Sequence, residues 1–403
     1  MKSFWLRDIR SFLGRRSGEQ RSSVAQQATG TSRVWLHLGH EEASSAELLI
    51  RWLRRLRPDL RIDVYVGGGG AFPTTLPDDI PCRKAPPDTL AEASALLDLA
   101  RPSVIVTLGT ELPAQLIQAA ALRGIPVVLA QARNSGKRSG LLARRQRRHT
   151  LEAASRIFAC TEAARLALLQ EGAPAERTRV GGQLCLPPDP LPYTEAERND
   201  LSRLIRTRPV WFAPATPSAE LATVLAAHRH ALRHAHRLLL LLAPANEGDS
   251  ANLAATLEAD GWRVARRSDE DTPEEDVQIF IVDDPQEYGL WYRLAPITYF
   301  GGTLTDTSAR SPLEAAALGS AVIHGPQIAP HDEAYRQLDE MRAAWSLRDA
   351  GQLGDAIVDL IAPDRCAVLA QAAWAVLSDG AGAASRIAEA IIEEIDTHTA
   401  QGG

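Results

Sequence analysis

The chain is poor in cysteine, with four in 403 residues (Cys82, Cys160, Cys185, Cys366), far apart and never as C-x-x-C. That excludes a disulfide framework and a zinc site, and leaves four reduced core thiols. Aromatic residues are only 5% of the chain, so aliphatic side chains must build most of any core. No segment approaches the roughly 18 apolar residues that a membrane-spanning helix needs. There is no excess of positive charge: the net charge is −6, which gives no global reason to expect nucleic acid. Metal-ligand spacing, a Ser-His-Asp set, a P-loop and short tandem repeats are all missing. Gly67 to Gly70 lacks the following helix start that a dinucleotide fingerprint requires. The first residues, MKSFWLRDIRSFLGRRSGEQR, have no apolar stretch of the secretory kind.

What is present is a globular composition, 45% hydrophobic and 23% charged, long enough for two domains. Short β-rich runs alternate with helical stretches of 10 to 13 residues: Val34 to Leu38, Ile62 to Val66, Val104 to Leu108, Val127 to Ala130 and Ile157 to Ala159 in the first half. After Pro187, Pro188, Pro190 and Pro192, and a helix over Thr194 to Thr207, the pattern restarts with Val210 to Ala213, Leu238 to Leu242 and Val277 to Val282. This alternation predicts βαβ units on parallel sheets. Two α/β halves joined by a Pro-rich linker predict a cleft between the carboxyl ends of two sheets, where such folds bind ligands. At the N-terminus, Phe4, Trp5, Ile9, Phe12 and Leu13 fall near one helical face with Lys2, Arg7, Arg10, Arg15 and Arg16 around it. That suits an interfacial helix on anionic lipid, or equally a docking helix or frayed tail. Residues Gly18 to Ser32 read as a polar linker.

The second half turns on the stretch Ile297 to Gln327. A short strand stops at Gly301-Gly302, a small-polar loop follows, and a helix begins at Ser311-Pro312, with Glu314 at the capping-box spacing. A strand from Ala321 to Ile323 then leads to a second turn at Gly325-Pro326. Strand, glycine turn and helix start together can hold an anion, and a first-turn carboxylate suits a ribose diol. Glu314 is equally well read as a simple cap. The order of these elements resembles the C-terminal signature of glycosyltransferases with two facing Rossmann-like domains, the GT-B fold. In the first half, Glu41-Glu42 follows the first strand at its carboxyl edge. Inverting glycosyl transfer needs a carboxylate to take the acceptor's proton, which Glu42 can supply, with Glu41 or His40 as substitutes. The same carboxylates also simply favour a helix N-terminus. Arg133, Lys137 and Arg138, with Arg144, Arg145, Arg147 and Arg148, form a basic patch suited to an acidic ligand or to a solvated helix face. Lone histidines such as His37 and His324 read as core or rim residues.

Several segments in order resemble the 3-deoxy-D-manno-octulosonic acid (Kdo) transferases, over roughly Val34 to Leu347. Trp35-Leu36-His37 through Glu42 is similar to their strand-one motif ending in the catalytic Glu, here one residue shorter. Thr110-Glu111-Leu112 resembles part of E-T-E-L-W-P, and Ile125 to Arg133 with Ser135 and Ser139 resembles the acceptor-lining segment. Tyr288 to Tyr292, Gly301-Gly302-Thr303-Leu304, Pro312-Leu313-Glu314 and Gly325-Pro326 resemble the donor block. There are departures. Gly109 and Pro113 replace Glu and Trp, and Ala215-Thr216-Pro217-Ser218-Ala219-Glu220 lacks the histidine of S-T-H-x-G-E. Ala245-Asn246 replaces an Arg-His pair, and Ala309-Arg310-Ser311 replaces G-H-N. Gln327, Pro330 and Cys185 stand where His, Asn and Lys are usual. The family's usual hydrophobic N-terminal anchor has no counterpart in the first 30 residues.

The resemblance implies an α/β chain of two Rossmann-like domains facing across a cleft. Residues 1–32 would be a basic tail and linker, 33–187 the acceptor domain, 188–207 a linker, 208–380 the nucleotide-sugar domain, and 381–403 a C-terminal helix and tail. It implies an inverting, metal-independent transferase with Glu42 as general base. Thr216, Gly301, Gly302, Thr303, Ser311, Glu314, Gly325 and Pro326 would hold the donor, and Glu111, Arg133, Ser135, Lys137 and Arg138 the acceptor. CMP-Kdo would be the donor substrate, with no separate cofactor, and a lipid A precursor or other acidic glycan the acceptor. No nucleic acid is expected. The protein would be cytoplasmic, with peripheral contact to the inner membrane. Transfer from another nucleotide sugar, or binding without turnover by a degenerate paralogue, are the alternatives.

Overall fold

Runs such as Val104–Leu108 are too short for helices and are buried along their whole length, as strands covered by helices on both faces must be. The computed structural model describes residues 32–39, 43–67, 76–77, 79–134, 140–305 and 310–402. The chain forms two units, residues 1–186 with 380–403, and residues 187–379.

In the first unit β1 (Arg33–Leu38), α1 (Ala43–Leu56), β2 (Arg61–Val66), β3 (Cys82–Lys84), α2 (Leu90–Ala100) and β4 (Val104–Leu108) are followed by α3 (Ala114–Ala121), β5 (Val127–Ala132), α4 (Leu141–Glu152), β6 (Arg156–Ala159), α5 (Glu162–Gln170) and β7 (Thr178–Val180). The strands pair in parallel in the order β3-β2-β1-β4-β5-β6-β7, so the order reverses around β1. Strand alternation splits the core in two: Val34, Leu36 and Leu38 pack with Leu49 and Leu53 of α1. Trp35 faces the other way, with Leu97 of α2 and Ile117 of α3. Helix starts are capped by side chains, Thr89 for α2 and Thr161 for α5, while Asp88 accepts from the Gln115 and Leu116 amides of α3.

The second unit contains α6 (Glu195–Ile205), β8 (Val210–Thr216), α7 (Ser218–Leu232), β9 (Leu239–Pro244), α8 (Ser250–Ala259), β10 (Val264–Arg266) and β11 (Ile279–Ile281). After these come α9 (Tyr288–Leu294), β12 (Ile297–Tyr299), α10 (Leu313–Ala317), β13 (Ala321–His324), α11 (Asp332–Glu340), β14 (Ala344–Ser346) and α12 (Leu353–Leu360). Its parallel sheet runs β10-β11-β9-β8-β12-β13-β14, with the reversal between β8 and β12. Two seven-stranded parallel sheets with helices make this a GT-B-type fold.

Three sequence expectations need correction. First, no separate helix and tail begin at 381: the chain ends in one helix, α13 (Pro363–Gly402), which runs through Gly380 and Gly382. By length and composition alone this helix could cross a membrane, so a stretch of that kind does exist. Its last turns belong to the first unit. Ile387, Ile391 and Ile395 are buried in that core, Arg386 donates to the Gly181 carbonyl at 3.0 Å, and Arg156 pairs with Glu394 at 2.6 Å. Gly380 is required there, since a Cβ would lie 2.7 Å from the Cys185 carbonyl oxygen. The stretch from Ala383 to Ile395 thus contributes to the core of the first unit. Second, the helix after the small-polar loop starts at Leu313 and has five residues. Third, the capping box is not formed: Ser311 Oγ accepts from the Leu313 amide, and the Glu314 carboxylate turns to other partners. Of the cysteines, Cys160, Cys185 and Cys366 are buried, Cys82 is half-buried, and all are free thiols.

Candidate functional site

In the second unit, the strand ends beside the reversal point are tied together by one carboxylate. Glu220 lies in the first turn of α7, only 1% exposed. Its Oε2 accepts from the Tyr299 hydroxyl at 2.7 Å and the Gly302 amide at 2.8 Å. Its Oε1 accepts from the Leu304 amide at 2.9 Å and the Thr305 hydroxyl at 2.8 Å. Four donors satisfy a buried charge that has no cation beside it. The turn after β12 is therefore fixed in position. Gly301 passes against the end of β8, where a Cβ would fall 2.7 Å from Thr216 Cα and 2.8 Å from the Ala215 carbonyl oxygen. Gly302 has φ of 88°, which a side chain would strain.

Thr303 is fully buried, and its hydroxyl donates to the Phe300 carbonyl at 2.7 Å and accepts from the Gly325 amide at 2.8 Å. Thr216 is 4% exposed and donates to the Ala213 carbonyl at 3.0 Å. Both hydroxyls thus hold the scaffold together. Pro326 follows Gly325 at the surface of the same turn, where the Gln327 amide reaches back to the Thr303 carbonyl at 2.9 Å.

Glu314 stands at the next helix start, and its Oε2 is engaged by Arg310 (Nε at 2.9 Å, Nη2 at 2.7 Å) and by the Tyr292 hydroxyl at 3.3 Å. Its Oε1 accepts no hydrogen bond among the described residues. Arg310 in turn lies 4.4 Å from the Tyr288 ring centre. Burial pushes the Tyr288 hydroxyl up to about 12, and burial followed by the Glu314 charge holds Tyr292 well above the usual phenol range, so both remain donors. The arrangement can offer a carboxylate oxygen and a guanidinium to a ligand with hydroxyl and anionic groups, with the two buried phenols bracing them.

The first unit presents a different site. His40, Glu41 and Glu42 lie outside the described residues, as do Ser135, Lys137, Arg138 and the N-terminal face of Phe4, Trp5, Ile9, Phe12 and Leu13. The end of β1 is seen at His37, which is 6% exposed and pushed down to about 4 by burial. Glu111 follows β4. A Cβ on Gly67 would lie 3.1 Å from His37 Nε2 and 3.3 Å from Glu111 Oε2, so these side chains converge. They border a cavity of about 790 Å³ with Trp35, Lys84 and Leu112 in its walls. Trp35 Nε1 and His37 Nδ1 are buried without a hydrogen-bond partner among the described residues. His324 of the second unit, by contrast, is bonded to the Gly325 carbonyl and to Asp339.

Arg133 is placed by an irregular strand end. The register of β5 against β6 shifts between Leu129 and Ala132, where Gln131 adopts φ of 55°. Arg133 Nε then donates to Cys160 Sγ at 3.1 Å, and its carbonyl accepts from Arg147 at 2.8 Å. Beyond it Asn134, Arg144, Arg145, Arg147 and Arg148 border a second cavity, of about 810 Å³.

Sequence reasoning gave no role to Glu220 or Arg310. An acidic residue in the first turn of the helix after β8 was the available signal for Glu220. For Arg310 it was a cation four residues before Glu314.

Comparison with known proteins bears on the family and the fold. The family model described as 3-deoxy-D-manno-octulosonic-acid transferase (kdotransferase) matches residues 13–186. The 3-deoxy-D-manno-octulosonic acid transferase of Haemophilus influenzae is 25% identical over 363 residues, 86% of this chain and 83% of the relative. That of Bordetella pertussis is 30% identical over 287 residues, 68% of this chain and 65% of the relative. In fold alone, MurG of Acinetobacter baumannii is similar, with a TM-score of 0.53 and 14% identity over 90% of this chain and 99% of that one. The chain belongs to the 3-deoxy-D-manno-octulosonic acid transferase family, glycosyltransferases of GT-B fold.

Proposed function

We propose that the protein transfers Kdo from CMP-Kdo to a lipid A-type acceptor with inversion at the anomeric carbon. In this reading Glu42 takes the proton of the acceptor hydroxyl. The oxygen bonds to the anomeric carbon while the bond to phosphate breaks, and CMP leaves. Gly301, Gly302, Gly325 and Pro326 shape the donor-side turns, with Thr216 and Thr303 as their internal braces. Ser311, whose hydroxyl accepts from the Leu313 amide, leads into the short helix that presents Glu314 to the ribose diol. Glu111, Arg133, Ser135, Lys137 and Arg138 serve the acceptor side. The observation that carries the donor assignment is the turn held by Glu220, in the same unit as a Glu314 oxygen that accepts no hydrogen bond among the described residues. The protein would work at the cytoplasmic face of the inner membrane.

Calorimetry on the wild type, Glu314→Ala and Glu42→Ala with CMP and CMP-Kdo tests this. Hydrogen bonds to a charged group contribute about 1.5–3 kcal/mol, so Glu314→Ala should bind one to two decades more weakly. Glu42→Ala should keep nucleotide affinity and lose transfer, because a general base acts in the transition state. Wild-type binding of neither ligand would remove the donor assignment. A different nucleotide sugar is favoured by one feature, Arg310 in the place of the family's histidine. Tighter binding of UMP or UDP than CMP would decide for it.

A further inference from the structure

The outward face of α4 is built unlike any other surface described. Leu141 and Leu142 open the helix and are each 85% exposed, the two most exposed large apolar side chains among the described residues. Ala143, Arg144, Arg145 and Gln146 are exposed as well, so the first two turns stand clear of the unit. Burial begins only at Thr150 and Leu151, which face the core. At 100° per residue, Leu141, Leu142, Arg145, Arg148 and His149 share the arc opposite those buried positions, with Arg144 at its flank.

Two of the arginines have structural partners: Arg147 pairs with Glu171 at 2.6 Å and Arg148 with Glu152 at 2.8 Å. Arg144 and Arg145 form no ion pair among the described residues. The helix carries four arginines and ends in its one acidic residue, Glu152, on a chain of net charge −6. The basic patch is therefore local, and it lies directly behind two leucines that no described residue of the unit covers.

We propose that this face of α4 seats the protein on an anionic lipid bilayer, Leu141 and Leu142 entering the headgroup–acyl boundary while Arg144, Arg145 and Arg148 meet lipid phosphates. Charge complementarity selects an anionic surface, and the leucines select a bilayer over a soluble polyanion, which gains nothing from exposed aliphatic side chains. The paired Arg148 can exchange Glu152 for a phosphate, since an exposed pair of that kind is worth little. The proposal does not depend on which nucleotide sugar is used.

The test is co-sedimentation of the full chain with phosphatidylglycerol vesicles and with phosphatidylcholine vesicles. The wild type should partition onto the anionic vesicles and be released by salt. Leu141→Ser with Leu142→Ser should weaken that partition about tenfold, and Arg144→Glu with Arg145→Glu at least fivefold, each arginine near such a surface contributing about fivefold. Leu141→Phe with Leu142→Phe should strengthen it. All three pairs lie on exposed positions, and unchanged thermal unfolding checks that the fold is kept. Equal partition of the serine pair and the wild type overturns the proposal, as does equal binding to phosphatidylcholine. Heparin binding that survives the serine pair while vesicle binding is absent would instead identify a site for soluble polyanions, and also overturns it. Transfer to a detergent-dispersed acceptor should be unaffected by the leucine substitutions, so failure of docking and failure of the transferase reading are read separately.

Discussion

Where β8 meets β12, the Gly302 and Leu304 amides and the Tyr299 and Thr305 hydroxyls share one acceptor; along β1 and β4, three buried polar atoms (Trp35 Nε1, His37 Nδ1 and Thr107 Oγ1) have no partner among the described residues. The two sheets share their parallel seven-stranded design and the reversal of strand order. They differ in what fills the end of the central strands. In the second unit the Glu220 carboxylate occupies that space and fixes the turn before any ligand arrives, which lowers the ordering cost of binding. In the first unit a cavity of about 790 Å³ borders Trp35 and His37. An unsatisfied buried group costs about 1–3 kcal/mol, a cost retained where water or a ligand completes the bonding. One topology thus serves a preset turn in one unit and a cavity with two buried polar side chains, His37 and Trp35, in its wall in the other.

Removing the carboxylate should break this comparison most strongly. Glu220→Ala leaves the Gly302 and Leu304 amides and the Tyr299 and Thr305 hydroxyls without their acceptor. The loss should be at least about 3 kcal/mol in urea unfolding, together with loss of nucleotide binding. A variant as stable as wild type would mean that the turn is held by its glycines alone.

Acid should act next, through one histidine in each unit. Burial holds His37 near 4 and His228 near 3, the latter against the bond to the Gln278 carbonyl, which raises it. Both are neutral in the fold and titrate near 6.5 once unfolded. Between the two values the unfolded chain binds more protons, so stability falls as pH drops from 6.5 to about 4 for His37 and to about 3 for His228. For His37 the full loss is about 3 kcal/mol. His228 already has both ring nitrogens occupied, by the Trp211 indole N–H and by Gln278. His37→Gln should therefore lose about 2 kcal/mol less than wild type between pH 7 and 4.5 in urea titrations. An identical loss would show that His37 is not protected in the fold.

The smallest effect sharpens the donor side. Tyr292→Phe removes the 3.3 Å contact to Glu314 and the phenol's hydrogen bond with Arg310, while the bonds from Arg310 to Glu314 remain. Stability should fall by no more than about 1 kcal/mol, and nucleotide affinity by less than about fivefold. A loss as large as that of Glu314→Ala would make the phenol, and not the guanidinium, the group that orients the carboxylate.

Legibility in the sequence followed burial. Val104–Leu108 and Val34 to Leu38 were readable because both faces of a central parallel strand are apolar, and the run is then continuous. Gly301, Gly302 and Gly325 were readable as a site because glycine marks close backbone approach, and the structure has that approach at Gly301 and Gly325. Glu220 carried no such mark. A carboxylate in a first helical turn is common at the surface, and nothing local says that four donors from a segment about 80 residues away converge on it.

By itself the sequence determined the interior strands, the helices between them and the division of the chain near the Pro-rich break. These depend on local periodicity and on residues that bury both faces. Only tertiary structure decided the four sheet edges. β3 (CRK), β7 (TRV), β10 (VAR) and β14 (AWS) were not readable as strands, and each of them is an edge strand. Three residues with one open side carry no hydrophobic period, and they become strands because a neighbour's backbone is already in place to pair with them. The same reason assigns the last turns of α13 to the first unit. Its Ala-rich face is generic in sequence and gains meaning only against Gly181, Gly182 and Cys185, some 200 residues earlier.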